Sequence, residues 1–206
     1  MKMPKTGLYA ITQTENKAAE TVVQAVAAAI RGGAVIVQYR DKNPVDAIAL
    51  GNALLRLCRD RGIPLIINDD IQLAASLGAD GVHLGKDDGD MNRARQLLGA
   101  NAIIGVSCYD SIERAVEAER RGADYVAFGR FYASGTKPLA TPAHLDTLRQ
   151  ARQQLSIPIV AIGGILPENG QPLLEAGAGL LAVIGGIFDH DPESSARAYR
   201  VLFNRN

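Results

Sequence analysis

The sequence predicts an α/β protein folded as one closed (β/α)8 barrel, and three observations carry the prediction. Short apolar runs alternate eight times with longer amphipathic stretches, the order expected of strand–helix units. The runs are rich in Val and Ile and lack polar alternation, as parallel strands buried on both faces do. One helix-to-strand turn recurs: Gly78-Ala79-Asp80 and Gly122-Ala123-Asp124 are identical, and Gly177-Ala178-Gly179 is a close relative. Repetition of one βα unit favours ring closure, with an open doubly wound sheet as the other architecture such a count allows.

The elements follow in order. A strand over 8–11 precedes a helix over 17–31, and a strand over 34–38 precedes a helix over 44–61. The third and fourth pairs are 64–68 with 70–77 and 81–84 with 91–98. The fifth and sixth are 102–106 with 111–121 and 125–128 with 142–155. The last two are 158–162 with 168–176 and 180–184 with 192–203. Gly32, Gly62, Gly78, Gly122 and Gly177 stand where helices should stop. No Pro/Gly/Ser-rich linker interrupts the series, so residues 1–206 are expected to form a single domain.

Composition narrows the function. Lys plus Arg equals Asp plus Glu at 22 each, so no general field draws nucleic acid or anionic lipid, and anion binding must be local. The apolar stretch at 25–30 is far too short to cross a bilayer. The first twelve residues hold no long apolar stretch before a cleavage site, so no signal peptide is expected. Two cysteines, Cys58 and Cys108, imply no disulfide framework and suit a reducing cytoplasm. A homodimer is carried as the candidate assembly.

In a barrel of this kind the active site lies at the C-terminal strand ends, so polar residues just past each run are the candidates. After the second run stand Gln38, Tyr39, Arg40, Asp41 and Lys42. In extended chain Gln38, Arg40 and Lys42 share a face, and two cations with an amide suit a pyrophosphate; a solvated loop is the alternative. After the third run, Asp70 suits a helix N-cap, which leaves Asp69 as a metal ligand. Asp88, after the neighbouring fourth run, can converge on it, and carboxylates with waters and phosphate oxygens suit Mg²⁺; alternatively Asp87, Asp88 and Asp90 only start the next helix. Ser107 could donate to a phosphate or cap the helix entered near Asp110. Ser134, Gly135, Thr136 and Lys137 form a small hydroxyl-rich loop fit to wrap phosphate oxygens, or a plain flexible loop, and the spacing is not that of a Walker loop. Gly163, Gly164, Gly185 and Gly186 close the seventh and eighth runs, where backbone amides can approach a phosphate or positive φ is required. His83 suits a barrel-lining residue bonded to its neighbours better than a base, and His144 and His190 suit the surface. Cys58 falls on the apolar face of its helix. Cys108 follows Ser107 near the mouth, with no partner to mark a nucleophile.

Taken together, six motifs in order resemble the thiamine-phosphate synthase family over almost the whole chain: Gln38-Tyr39-Arg40-Asp41-Lys42, Asn68-Asp69-Asp70, Val82-His83-Leu84-Gly85, Val106-Ser107, Gly135-Thr136-Lys137 and Ala161-Ile162-Gly163-Gly164-Ile165. The opening Gly7-Leu8-Tyr9-Ala10-Ile11-Thr12 matches as well. The resemblance implies a TIM barrel that joins 4-amino-2-methyl-5-hydroxymethylpyrimidine diphosphate to a thiazole phosphate with Mg²⁺, releasing pyrophosphate. It implies that Gln38, Tyr39, Arg40, Asp41, Lys42, Asn68, Ser107 and Lys137 hold the pyrimidine diphosphate. Ser134, Gly135, Thr136, Gly164, Ile184 and Gly185 would hold the thiazole phosphate, and Asp69 and Asp88 the metal. Arg40, Lys42, Ser107 and Lys137 are the catalytic candidates. Two positions depart from the family's pattern: Ser134 stands where threonine is frequent, and Gly185 where serine is frequent. Two rivals share the barrel, a tautomerase-like relative acting on the thiazole phosphate alone and a non-catalytic phosphate-binding protein.

Overall fold

The computed structural model describes residues 1–85, 90–133 and 142–204. It is a closed barrel of eight parallel strands in sequence order. The strands are β1 (Gly7–Ile11), β2 (Ala34–Tyr39), β3 (Leu65–Asn68), β4 (Gly81–Leu84), β5 (Ile103–Tyr109), β6 (Tyr125–Phe128), β7 (Ile159–Ile162) and β8 (Leu180–Val183). Between them run α1 (Ala19–Gly32), α2 (Ala47–Asp60), α3 (Ile71–Leu77), α4 (Met91–Leu98), α5 (Ile112–Arg120), α6 (Leu145–Gln154) and α7 (Gln171–Ala176). A short α8 (Gly185–Phe188) and then α9 (Pro192–Phe203) follow β8. Closure is made by β1 and β8, paired from Gly7 with Leu180 to Ala10 with Val183.

Strand residues alternate between two cores, because successive side chains point to opposite faces. Tyr9, Ile11, Ile36, Ile66, Ile103, Tyr125, Val160 and Leu180 fill the barrel interior. Leu8, Ala10, Val37, Ile67, Val82, Ile104, Val106 and Phe128 face the helices. This double burial is why the strands read as continuous apolar runs. Gly105 in β5 leaves room inside, since a Cβ there would overlap the Tyr125 ring.

The recurring turn has a physical role. Asp80 accepts from the Leu65 N–H at 3.0 Å while its own N–H donates to the Leu65 carbonyl. Asp124 repeats this on Ile104 at 2.8 Å. The third copy keeps the backbone bond, Gly179 N–H to the Ile159 carbonyl, but a Cβ at Gly179 would strike the Lys5 carbonyl. Glycine therefore replaces aspartate where the N-terminal segment crosses the barrel floor.

Several boundaries shift from the sequence reading. Helix α2 starts three residues after Pro44 because the Asp46 carboxylate caps it, accepting from the Ala49 N–H. Helix α6 starts at Leu145 because Asp110 accepts from the His144 N–H and the Thr147 hydroxyl and contacts the His144 ring. Helix α7 starts at Gln171 because Leu166 and Asn169 form a closed turn first. Strand β5 runs three residues beyond 106, and α8 was not expected, because Gly185-Gly186 looks like a turn.

Candidate active site

One cavity of about 1460 Å³ opens at the C-terminal ends of the strands. Its walls bring together most of the described candidates: Gln38, Tyr39, Arg40, Asp41, Lys42, Asn68, Asp69, Ser107, Gly164, Ile184 and Gly185 all border it. Asp88, Ser134, Gly135, Thr136 and Lys137 lie outside the described residues.

Strand β2 delivers Gln38 inward, where its amide donates to the Tyr9 hydroxyl at 3.0 Å. Gln38 is thus part of the buried floor of the cavity. The expected one-face grouping of Gln38, Arg40 and Lys42 ends with the strand. Past Tyr39 the chain leaves the ladder, and all five residues from Gln38 to Lys42 reach the cavity wall. Arg40 is fixed through its backbone: its N–H donates to the Thr12 hydroxyl at 2.9 Å, which donates in turn to the Arg40 carbonyl at 3.0 Å. Asp41 folds the next turn, accepting from the Asn43 N–H. Burial, then the carboxylates of Asp41 and Asp46, push the Tyr39 phenol up to about 12, so it stays protonated at neutral pH.

At the end of β3, Asp69 takes a left-handed backbone, φ 64°, which a non-glycine residue adopts at a cost. Its N–H donates to the His83 carbonyl, and its carboxylate accepts from the Asn68 amide at 2.6 Å. The carboxylate is exposed to the cavity. Asp70 caps α3, accepting from the Leu73 N–H, and Asp90 caps α4. Among the described residues no three His, Cys, Asp or Glu side chains cluster as a metal cage. The exposed Asp69 carboxylate at the strand end suits a cation that keeps most of its waters, as Mg²⁺ does.

His83 points inward from β4 and is bonded at both ring nitrogens, to Tyr125 and to Ser107, each at 2.9 Å. The serine–histidine contact was not legible in the sequence, where nothing marked a nucleophile and base. Ser107 does not cap a helix: Ser111 caps α5, accepting from the Arg114 N–H. Cys108 faces the helices and is fully buried, away from the mouth. His144 is exposed but tied to Asp110, and His190 is exposed at the rim.

After β7 and β8, Gly163 and Gly164 have φ of 102° and 63°. A Cβ on either would strike the segment after β6, at Arg130 and Ala133 respectively. These glycines therefore serve both a turn and a close approach. Gly185 opens α8 at the cavity wall.

Several cavity residues were missed. Arg130 borders the cavity two residues past β6, the same offset as a rim cation expects, but the hydroxyl-rich loop beyond it drew the reading. Lys17, Gln13 and Asp189 form a hydrogen-bonded rim across the mouth, at 2.6 and 2.8 Å. Arg114 donates to the carbonyls of Ser107 and Gly85, bracing the ends of β5 and β4. Only a contact between distant elements reveals these roles. Among the described residues, cations from three segments (Lys17, Arg40 with Lys42, and Arg130) line the cavity with the exposed Asp69 carboxylate, a set that can bind a polyanion with a divalent metal.

Comparison with known proteins gives a consistent picture. Residues 8–187 match the family described as thiamine monophosphate synthase. The chain is 52% identical over 200 residues to a thiamine-phosphate synthase of Nitrosococcus oceani, covering 96% of this chain and 92% of that one. It is 49% identical to one of Methylococcus capsulatus over 99% of this chain and 92% of that one. The solved thiamine phosphate pyrophosphorylase of Pyrococcus furiosus superposes with a TM-score of 0.87 at 33% identity, covering 97% and 96% of the two chains.

Proposed function

The chain belongs to the thiamine monophosphate synthase family and is a thiamine-phosphate synthase of thiamine biosynthesis, and from that premise we propose how its rim performs the reaction. The substrates are 4-amino-2-methyl-5-hydroxymethylpyrimidine diphosphate and the thiazole phosphate 4-methyl-5-(2-phosphooxyethyl)thiazole, or its carboxylated form with loss of CO2. The C–O bond to the diphosphate breaks with its electron pair leaving on oxygen. The thiazole nitrogen then supplies the pair for the new C–N bond. The electron-rich aminopyrimidine can carry the benzylic-type charge between the two events, which makes the path dissociative.

The observation that carries this reading is the rim cavity, larger than the roughly 300–1,000 Å³ usual for one small ligand, lined by cations, the exposed Asp69 carboxylate and the glycine-rich ends of β7 and β8. Arg40 and Lys42, with Lys137 outside the described residues, would neutralise the leaving diphosphate. Ser107 would donate to it, and Gln38, Tyr39, Asp41 and Asn68 would position the pyrimidine diphosphate. Gly164, Ile184 and Gly185, with Ser134, Gly135 and Thr136, would receive the thiazole phosphate. Mg²⁺, when bound, would supply positive charge to the diphosphate oxygens; Asp69 suits one of its ligands and Asp88 the other. Among the described residues no helix is long and apolar enough to cross a membrane; a cytoplasmic location, no nucleic-acid partner and a homodimeric assembly belong to the same proposal.

The test mixes both heterocycles with Mg²⁺ and measures pyrophosphate. Release should require both substrates and stop on chelation. Turnover of the thiazole phosphate alone, without pyrophosphate, would replace this reading with the tautomerase-like one.

A further inference from the structure

Beneath the cavity five side chains form one hydrogen-bonded row. Gln38 Nε2 lies 3.0 Å from Tyr9 Oη, and Tyr9 Oη lies 2.8 Å from Tyr125 Oη. Tyr125 Oη lies 2.9 Å from His83 Nδ1, and His83 Nε2 lies 2.9 Å from Ser107 Oγ. Tyr125 has no exposed surface, meets Tyr9 edge to face and stacks on His83 with ring centres 5.5 Å apart. Gly105 makes the space for it. Neither phenol has a role in the chemistry above.

Such a row has a direction, because each hydroxyl carries one proton. An amide nitrogen only donates. Tyr9 therefore accepts from Gln38 and spends its proton on Tyr125, which spends its own on His83 Nδ1. That nitrogen is then bare, and the ring proton sits on Nε2, facing Ser107. The far end imposes the same order. A diphosphate oxygen only accepts, so a serine bound to it must donate outward and accept from the histidine. Burial, partly offset for Tyr9 by its contacts with Tyr125 and Gln38, raises both phenols well above their ordinary range, so both protons stay in place.

We infer that this row holds His83 as the neutral Nε2–H tautomer and thereby aims the Ser107 proton into the cavity at the diphosphate, which makes Tyr9, Tyr125 and His83 positioning residues and bars His83 from acting as a base on Ser107. The inference rests on the reading of Ser107 as a diphosphate donor and deepens it. The opposite order would run from Ser107 to Gln38 and leave a serine poised as a nucleophile.

The direct test needs no variant and no substrate. Long-range ¹H–¹⁵N correlation on ligand-free protein with labelled histidine, at about pH 8 and so above the ordinary imidazole range, reads the tautomer; loss of one signal set in His83→Asn assigns it among the three histidines. A pyridine-like Nδ1 with a pyrrole-like Nε2 is expected. A pyrrole-like Nδ1 would overturn the inference, and would do so even if both heterocycles still yield pyrophosphate. Tyr125→Phe keeps the ring and removes the hydroxyl that donates to His83 and accepts from Tyr9. It should remove the tautomer bias and lower turnover roughly tenfold, the worth of about one hydrogen bond, with KM for the thiazole phosphate unchanged. In a Ser107→Ala background the same substitution should cost nothing further. An equal loss in both backgrounds would show a merely structural role and contradict the inference.

Discussion

Arg40 stands in the half-buried wall of the cavity, its peptide clamped on both sides by the Thr12 hydroxyl. Removing the guanidinium should remove charge stabilisation of the leaving group and leave the fold intact. Arg40→Ala should lower kcat on the order of 10²–10³-fold, as loss of one preorganised donor does, with an unchanged melting curve; steady-state kinetics and calorimetry check both. Asp69 is exposed, so Asp69→Asn should keep the fold and its left-handed turn. It should raise the Mg²⁺ concentration for half-maximal rate by roughly tenfold or more, read by titrating the metal. Burial pushes both thiols, Cys58 and Cys108, from an ordinary 9.0 up to about 12. The folded state holds these protons more tightly than the unfolded chain. Their contribution to stability is therefore full below pH 9 and is lost as pH rises toward 12, which urea unfolding across that window should show. At this scale the motif residues were legible because each follows an apolar run at a short offset. That His83 lines the barrel and bonds its neighbours was legible, but its partners Tyr125 and Ser107, the Thr12 clamp and Arg130 were not, because each is a contact between segments far apart in sequence.

Helices and strands were legible wherever burial imposes a period. The eight runs are strands because both of their faces are covered; α3 and α7 stop at the expected Gly78 and Gly177 and α2 and α5 at caps one residue before Gly62 and Gly122, whereas α1 includes Gly32 and is capped by Gly33. The boundaries moved where a side chain outbids the pattern: Asp46 captures the first turn of α2, and Asp110 reaches across from the end of β5 to start α6. Helix α8 was illegible because its four residues begin with two glycines. Element packing makes its own demands on glycine. Gly105→Ala should drive a methyl into the Tyr125 ring and destabilise the barrel by about 1–3 kcal/mol, the usual cost of overpacking, measured by denaturant unfolding. Activity should fall with it, since Tyr125 supports His83.

Across the whole molecule, stability and chemistry occupy opposite ends of the barrel. The helix-to-strand turns at the floor are held by Asp80 and Asp124, and Arg95 ties Asp124 to the carbonyls of Ala102 and Gly122. The rim carries the cavity. Asp124→Ala should therefore cost about 1–3 kcal/mol by leaving the Ile104 N–H without its acceptor, while kcat/KM of the surviving folded protein stays unchanged. This division was partly legible, because the repeated Gly-Ala-Asp turn falls before strands and the charged motifs fall after them. That both substrates share one cavity is the claim on which the rest depends. A crystal structure with thiamine phosphate, pyrophosphate and Mg²⁺ tests it most directly. Both products should lie in the single rim cavity, with the diphosphate at Arg40 and Ser107, the metal at Asp69, and the thiazole phosphate against Gly164 and Gly185. Pyrophosphate bound outside that rim, or a metal away from Asp69, would contradict the account.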